Sequence, residues 1–515
     1  MDRISDLPGI VIHRILSFLP TKEAARTSVL SKTWLHFWST NTTLDFNQAY
    51  FGRTLQKSLF AKWFPKSRPK WERFVNFVDE TLRRYINEKI RIQTFRLSIT
   101  IVDADLASLV DDWLGIAVQN GVEELHLHVS LYNCSSYVLP PIVCSASSLK
   151  KMVLKGCKVE YYSLGDKIKC CSLDTLCLFN VCIEEPVIQY LITSCPLIRK
   201  MVIGSVDGFG RICVPNLKKF EIRAPQERVV ELEAPRLESF TYNSRLGQGR
   251  PCAFNIEESQ AVSRLCLTGS SITSDVFQSI VSKFPMLEFL CLNHCSKLES
   301  ISISSIFLKR LSLRYCKKLV EANIDAPNLL SVHYKGTPGQ YFFRGDIDTT
   351  SFVNLREFLT KTRESELFRL VVDAGNCCFN IDDLRGLDFP PGLEVEHLDL
   401  VISCCEPVRC RALLDGLFWS CHPKSLSLHW GTLSSNEFVR FLYQKLMARA
   451  ENPKCCDFRE IKCWRHYLND VKIESSEGSC KRYWPLKRKT LVGAPPTLEK
   501  LQDIRFTLQW QAETF

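Results

Sequence analysis

Arginine and lysine recur along this chain at positions set by a six-residue pattern, apolar-x-x-apolar-x-apolar. In an extended segment alternate side chains share a face. The last two apolar residues of each copy therefore point one way, and the residue between them and those beside it point the other. The second set contains Lys151 and Lys155, Lys200, Lys219 and Arg223, Arg264, Arg310 and Arg314, and His333 and Lys335. Glu124, His126, His128, Glu221, His397 and Asp399 fall among them, so basic residues outnumber acidic ones. Guanidinium and ammonium groups make charge-assisted hydrogen bonds to carboxylate and phosphate. The chemistry expected of this face is capture of an acidic or phosphorylated protein segment. The plainer alternative is a solvated charged surface.

Other reactive residues are read as structural. His126 and His128 share a strand face but lack a third metal ligand nearby. His294 and Cys295 fall in a turn between repeats, where a small residue is needed. Lys481, Arg482, Lys487, Arg488 and Lys489 in KRYWPLKRK have the composition of a nuclear-localisation or anion-binding run, or of a solvated loop. The chain has no phosphate-binding glycine loop, nucleophile elbow or carboxylate pair at telling spacing. No catalytic residue, cofactor or metal is expected.

The basic positions need a scaffold, and the same pattern supplies one. Copies begin at Val122, Leu149, Leu173, Ile198, Leu217, Leu237, Val262, Leu287, Leu308, Leu329, Val395 and Pro423, most steps being 19 to 27 residues. One short strand with a return segment cannot bury its own apolar side chains, but stacked units bury them together. LEFLCLNHCSKLESISI and LKRLSLRYCKKLVEANI place Cys295 and Cys316 in the turn after the strand. Residues 340–394 break the rhythm, as a degenerate repeat or an insertion, and a loop there is the one hint of a small-molecule site. Upstream, Phe74, Phe77, Val78, Leu82, Tyr85 and Ile86 form the apolar stripe of an amphipathic helix. Downstream, Ser434 and Glu437 spell a capping box before Phe438, Phe441, Leu442 and Leu446. Asn452-Pro453 ends that helix, and Ile504, Phe506, Leu508 and Trp510 alternate as one strand face.

The N-terminal segment RISDLPGIVIHRILSFLPTKEAARTSVLSKTWLHFWSTNTTLDF reads as three short helices. Leu7-Pro8 opens the first, on which Val11, Ile12, Ile15, Leu16 and Leu19 share a face. Pro20 ends it, Thr21 is read as the N-cap of the second, and Trp34 and Trp38 share a face of the third. So short a segment cannot bury this many large apolar side chains internally, and part of its surface requires a partner.

Composition excludes several classes. A chain of 515 residues with 45% hydrophobic and 24% charged content suits a multidomain or repeat protein, and a net charge of +10 falls short of a nucleic-acid binder's basic footprint. Aromatic residues are scarce at the outward strand positions that would have to stack bases. The charged N-terminus carries no secretory signal, and no apolar run reaches the roughly 20 residues of a membrane span. Pairs such as Cys170-Cys171 and Cys377-Cys378 among the 24 cysteines are adjacent rather than CxxC-spaced. A reducing compartment, cytoplasm or nucleus, is expected, with most cysteines as small buried hydrophobes.

The order LP, ILSFLPTKEAARTSVLSKTW, then W and LDF, closely resembles the F-box of plant F-box/leucine-rich-repeat proteins. The two longest copies resemble their cysteine-containing repeats, and IKCWRHYLNDVKIE with DIRFTLQW resembles their FBD-type C-terminal region. The resemblance implies an α/β protein with a helical F-box at 1–46, a linker and amphipathic helix at 47–90, and a leucine-rich-repeat horseshoe at 91–433. A small α+β cap would follow at 434–515. It implies a non-catalytic substrate receptor of an SCF-type ubiquitin ligase, whose F-box binds a Skp-type adaptor and through it a cullin-RING ligase. Leu7, Pro8, Ile12, Ile15, Leu16, Leu19, Val29, Leu30, Trp34 and Trp38 would divide between the adaptor face and the F-box core. The chain departs from the family in carrying Gly9-Ile10 where an acidic pair is usual. That departure motivates one rival, a non-ligase interaction scaffold with a weakened F-box; the break at 340–394 motivates the other, a small-molecule-sensing receptor.

Overall fold

A computed structural model describes residues 7–51, 68–132, 136–161, 168–205, 211–223, 230–244, 254–256, 261–335, 349–361, 367–372, 392–402, 407–430, 435–447, 463–477, 480–485 and 504–511. It divides into two compact units, the first comprising residues 1–237 with 253–259 and the second 238–252 with 260–515.

The first unit begins with three helices, α1 (Gly9–Phe18), α2 (Thr21–Thr27) and α3 (Lys32–Ser39). Their chain runs directly into the strand Thr43–Asn47, which pairs in parallel with Thr94–Ile101. Parallel pairing continues through Glu124–Leu131, Lys151–Lys155, Thr175–Phe179 and Lys200–Gly204 to Lys219–Arg223. In each repeat strand the penultimate apolar pair is buried, as with Met152 and Leu154 or Phe220 and Ile222, and its neighbours face outward. Helix α4 (Arg68–Asn87) covers the start of this unit. Phe74, Val78, Leu82 and Tyr85 are buried there as expected, but Ile86 is exposed and Val75 takes a buried place. Helical periodicity drifts across a 20-residue helix, and the stripe therefore leaves Ile86 outside it.

The second unit repeats the arrangement from Ser239–Asn243 through Arg264–Thr268, Phe289–Asn293, Arg310–Arg314 and Ser331–Lys335. The strand Leu367–Val372, inside the irregular segment, pairs in parallel with both Ser331–Lys335 and Leu393–Ile402. This part of the break is a degenerate repeat, preceded by the helix Thr349–Lys361. Cys421–Trp430 follows in parallel, and its other side pairs antiparallel with Ile504–Trp510. Leu468–Glu477 and Cys480–Pro485 extend that antiparallel part. The helix Ser435–Met447 buries Leu442 and Leu446, while Ser434 and Asn452-Pro453 lie outside the described residues.

Repeat length bears on how each chain returns, although the step from Lys151 to Thr175 carries the short strand Lys158–Val159 where steps of nearly equal length carry helices. Long steps carry helices: α5 (Ala104–Gln119), α6 (Pro141–Cys144), α7 (Glu185–Ser194) and α8 (Ser274–Val281). Short steps return through short strands, Arg211–Cys213 in the first unit and Ser300–Ser304 and Glu321–Asp325 in the second. A helix advances only about 1.5 Å per residue and a strand about 3.3 Å, so a return with few residues must be extended.

The turns after six of the repeat strands share one form. In the first unit Gly156, Asn180 and Ser205 adopt positive φ, and in the second Gly269, His294 and Tyr315 do. Each donates its N–H to the last carbonyl of the following rung, as His294 does to Arg314 at 2.8 Å and Tyr315 to Lys335 at 2.7 Å. At Gly156 a Cβ would run into the Val129 carbonyl, so glycine is required there. Beneath the turns, Cys295 and Cys316 are fully or nearly buried and donate their S–H groups to backbone carbonyls, Cys316 to Leu292 at 3.7 Å. A thiol fits because it is small and can donate a weak hydrogen bond.

Candidate functional site

The N-terminal helices divide the expected interface residues into two groups. Ile12, Leu16, Trp34 and Trp38 pack with Ala24 into a buried core, with Leu7, Ile15 and Leu19 partly buried against it. Pro8 is exposed at the head of α1. Val29 and Leu30 stand 85% and 52% exposed, joined by Ile10 at 80%, Phe18 at 71% and Leu35 at 51%. Ile10, Phe18 and Leu35 escaped the pattern reading because they sit off the periodic face. With Val11 at 37%, six of the 21 large exposed apolar side chains among the described residues lie between residues 10 and 35, far above that segment's share of them. Their crowding into one short segment departs from the scattered exposure of the rest of the described residues.

Gly9 has a packing role. It is the first residue of α1, and a Cβ there would lie 2.6 Å from the Phe37 ring. Thr21 does not cap α2 through its side chain; Pro20 occupies the cap position, and the Thr21 hydroxyl accepts the Asp45 N–H at 2.6 Å instead. Bonding the sheet's first strand outweighs local capping because Thr21 is 1% exposed and Asp45's amide would otherwise be left without it. Arg84 of α4 lies 4.7 Å over the Trp38 ring, and the Tyr85 hydroxyl donates to the Asn41 carbonyl. Burial pushes Tyr85 up to about 12, so it remains a donor at any ordinary pH. These contacts fasten the three helices to the sheet.

The outward strand face carries its charge unevenly. In the first unit Lys151 and Lys155 stand in register with Glu124 and His128. Lys151 pairs with Glu124 at 3.4 Å, and Arg223 pairs with Glu221 on its own strand at 2.6 Å. Lys200 and Lys219 are exposed register neighbours. His126 and His128 are both held below the ordinary imidazole range, first by burial and then by nearby cations. Among the described residues no group of three or more metal-ligating side chains forms.

In the second unit, the outward positions of the five strands from Ser239–Asn243 to Ser331–Lys335 include no carboxylate. They hold Arg264, Arg310, Arg314 and Lys335, with His333. Arg264 lies 4.6 Å over the Phe289 ring, and Lys335 lies 4.8 Å over Tyr315, itself stacked on His294 at 4.5 Å. Arg314 Nη2 donates to His333 Nδ1 at 3.2 Å. Farther along, His397 meets Ser425 at 2.7 Å and Asp399 is buried. Lys487, Arg488 and Lys489 lie outside the described residues, as do the side chains of Lys481 and Arg482.

The chain is similar to known proteins in its N-terminal helices and in its repeats. Residues 4–44 match the F-box domain. Residues 110–262 match the leucine-rich repeats of FBD-associated F-box protein At5g56370, and residues 250–364 match the At1g61320/AtMIF1 leucine-rich-repeat domain. F-box/LRR-repeat protein At3g03360 of Arabidopsis thaliana is 28% identical over 327 residues, covering 61% of this chain and 61% of the relative. Putative F-box protein At1g49610 is 31% identical over 225 residues, 43% of this chain and 50% of the relative. FBD-associated F-box protein At4g10400 is 29% identical over 248 residues, 47% of this chain and 55% of the relative; both are from Arabidopsis thaliana. The chain thus spans between half and about three fifths of the length of these curated relatives. It carries an F-box followed by leucine-rich repeats. Among the described residues no helix is long and apolar enough to cross a membrane.

Proposed function

We propose that this chain is the non-catalytic substrate-recognition subunit of an SCF-type cullin-RING ubiquitin ligase, working in the cytoplasm or nucleus. The observation that carries the reading is the matched F-box, whose core is complete while Ile10, Phe18, Val29, Leu30 and Leu35 remain exposed. That surface binds a Skp-type adaptor, which joins the chain to the cullin. The repeats hold a protein target, and ubiquitin transfer is accelerated because target lysine and charged conjugating enzyme share one frame. Residues 434–515 cap the last parallel strand, a role supported by the antiparallel pairing of Ile504–Trp510 with it.

The target is acidic or phosphorylated and engages the second unit's outward face. Arg264, Arg310, Arg314 and Lys335 have no carboxylate among their outward strand neighbours there, whereas Glu124 and Glu221 already neutralise Lys151 and Arg223. The adaptor half is tested by co-purifying a Skp-type adaptor with wild type and with a Leu7→Ala/Pro8→Ala variant. Recovery with wild type and loss with the variant is expected, and absence from both favours an interaction scaffold. The target half is tested by comparing proteins captured by the Arg310→Glu/Arg314→Glu chain with those captured by the F-box-deleted chain. Targets lost from the first but still held by the second are expected; unchanged capture by the charge-reversed chain removes the idea.

A further inference from the structure

The middle column of the second unit's outward face contains two cysteines side by side. Cys266 and Cys291 are register partners on adjacent parallel strands. Leu265, Leu267, Leu290 and Leu292 fill the core from the same strands at 0% exposure, which leaves both thiols on the opposite face. Both are partly exposed, whereas Cys295 and Cys316 lie buried beneath their turns. Paired strands stand about 4.8 Å apart, inside the roughly 4.4–6.8 Å span between Cα atoms that a disulfide bridges.

The surroundings favour a thiolate. Thr241 and Ser312 flank the pair in its own column, and Arg264 and Arg314 stand in the columns on either side. No outward carboxylate lies on these four strands. Contact with the Cys266 thiol, then Ser312 and the Arg314 charge, hold the Cys291 thiol below the ordinary range against the opposing effect of burial. The same contact, with burial, holds Cys266 above that range. Two adjoining thiols can share one proton, so that one sulfur is the nucleophile while the other bears the proton. Cys177, in the corresponding column of the first unit, lies between Val153 and Val202 and has no thiol beside it in register.

We propose that Cys266 and Cys291 are a modification site, a dithiol that a peroxide oxidises to a reversible disulfide. The Cys291 thiolate attacks one peroxide oxygen, the O–O bond breaks, and the departing hydroxide takes a proton to become water. Cys291 is left as a sulfenic acid. The Cys266 sulfur then attacks the Cys291 sulfur, the S–OH bond breaks, and hydroxide leaves with the Cys266 proton as a second water. Two thiols and one hydrogen peroxide become one disulfide and two waters; each sulfur loses one electron and the peroxide gains two. The product replaces two thiols with an apolar bridge between Arg264 and Arg314. The chemistry does not depend on the receptor reading.

The test treats the full chain with hydrogen peroxide, alkylates remaining thiols, and maps peptides by mass spectrometry without reduction. A Cys266–Cys291 cross-link about 2 Da lighter than the two free peptides, and released by dithiothreitol, is expected. Before oxidation, Cys291 should alkylate at neutral pH roughly tenfold faster than the exposed Cys171 and Cys182. Cys266→Ser should stop at a Cys291 sulfenic acid captured by dimedone, and Cys291→Ser should abolish both products. Cys291 alkylation no faster than Cys171, or peroxide products that omit the 266–291 link in wild type, would overturn the proposal.

Discussion

Replacing Val29 and Leu30 by alanine isolates adaptor binding from folding. The two side chains are 85% and 52% exposed, so most of their apolar surface makes no contribution to the folded chain alone. Val→Ala removes two carbons and Leu→Ala three. At about 0.8 kcal/mol per buried methylene, scaled by those exposures, an interface that covers both loses about 2.6 kcal/mol, or roughly 80-fold in Kd. Stability should stay within about 0.5 kcal/mol of wild type, as for other surface substitutions. The assay is titration of a recombinant Skp-type adaptor into wild-type and variant full-length chain, beside thermal unfolding of each. Leu16→Ala, in the core at 0% exposure, is the control that should show the converse, a destabilisation of about 2–5 kcal/mol. Unchanged adaptor affinity with Val29→Ala/Leu30→Ala would place the interface elsewhere. A stability loss as large as that of Leu16→Ala would show that the exposed face had been misassigned.

The acidic pair that this chain lacks should be restorable at one position only. Ile10→Glu adds a charge favourable to the α1 N-terminus and should stabilise it by about 0.3–1 kcal/mol, whereas Gly9→Glu must first displace Phe37 and should destabilise. His422, stacked on Trp510 at 4.1 Å, has its pKa lowered to about 4 by burial and by Arg356. Its contribution is therefore complete above the unfolded value near 6.5 and is lost as pH falls toward 4. The second unit should lose about 2 kcal/mol between pH 7.5 and 5, and His422→Phe should flatten that slope in thermal melts; an unchanged slope refutes the assignment. Lys445 meets Asp415 at 2.8 Å with 5% and 13% of the side chains exposed, and Asp415 also accepts the Trp464 indole N–H. Lys445→Met should cost about 3–5 kcal/mol and Lys445→Met/Asp415→Leu clearly less; equal losses would mean no buried carboxylate is stranded.

Much of the fold was legible because burial repeats with a period. All twelve pattern copies are strands, and in eleven of them the last two apolar residues are buried; in the copy at Pro423 Leu426 is buried and the Leu428 side chain lies outside the described residues. The rungs at Thr43, Thr94 and Leu367 were missed. Thr43 belongs to a segment whose F-box resemblance dominates its reading, and the rung at Leu367 lies where the step length changes. The site was legible in type but not in balance. Lys151 and Lys155 look alike in sequence, and so do Arg223 and Arg314; only register sets Lys151 against Glu124 and leaves Arg314 without an outward carboxylate neighbour. Likewise Cys266 and Cys291 are 25 residues apart in the chain and become neighbours through the repeat length alone.

Quantitative mass spectrometry of the full chain immunopurified from cells under proteasome inhibition tests the central claim most directly. The account predicts a Skp-type adaptor at near-equimolar ratio with the chain, a cullin beside it, and loss of both with Val29→Ala/Leu30→Ala while the target is retained. Recovery of the intact, folded chain with other partners but with adaptor and cullin at background level would contradict it.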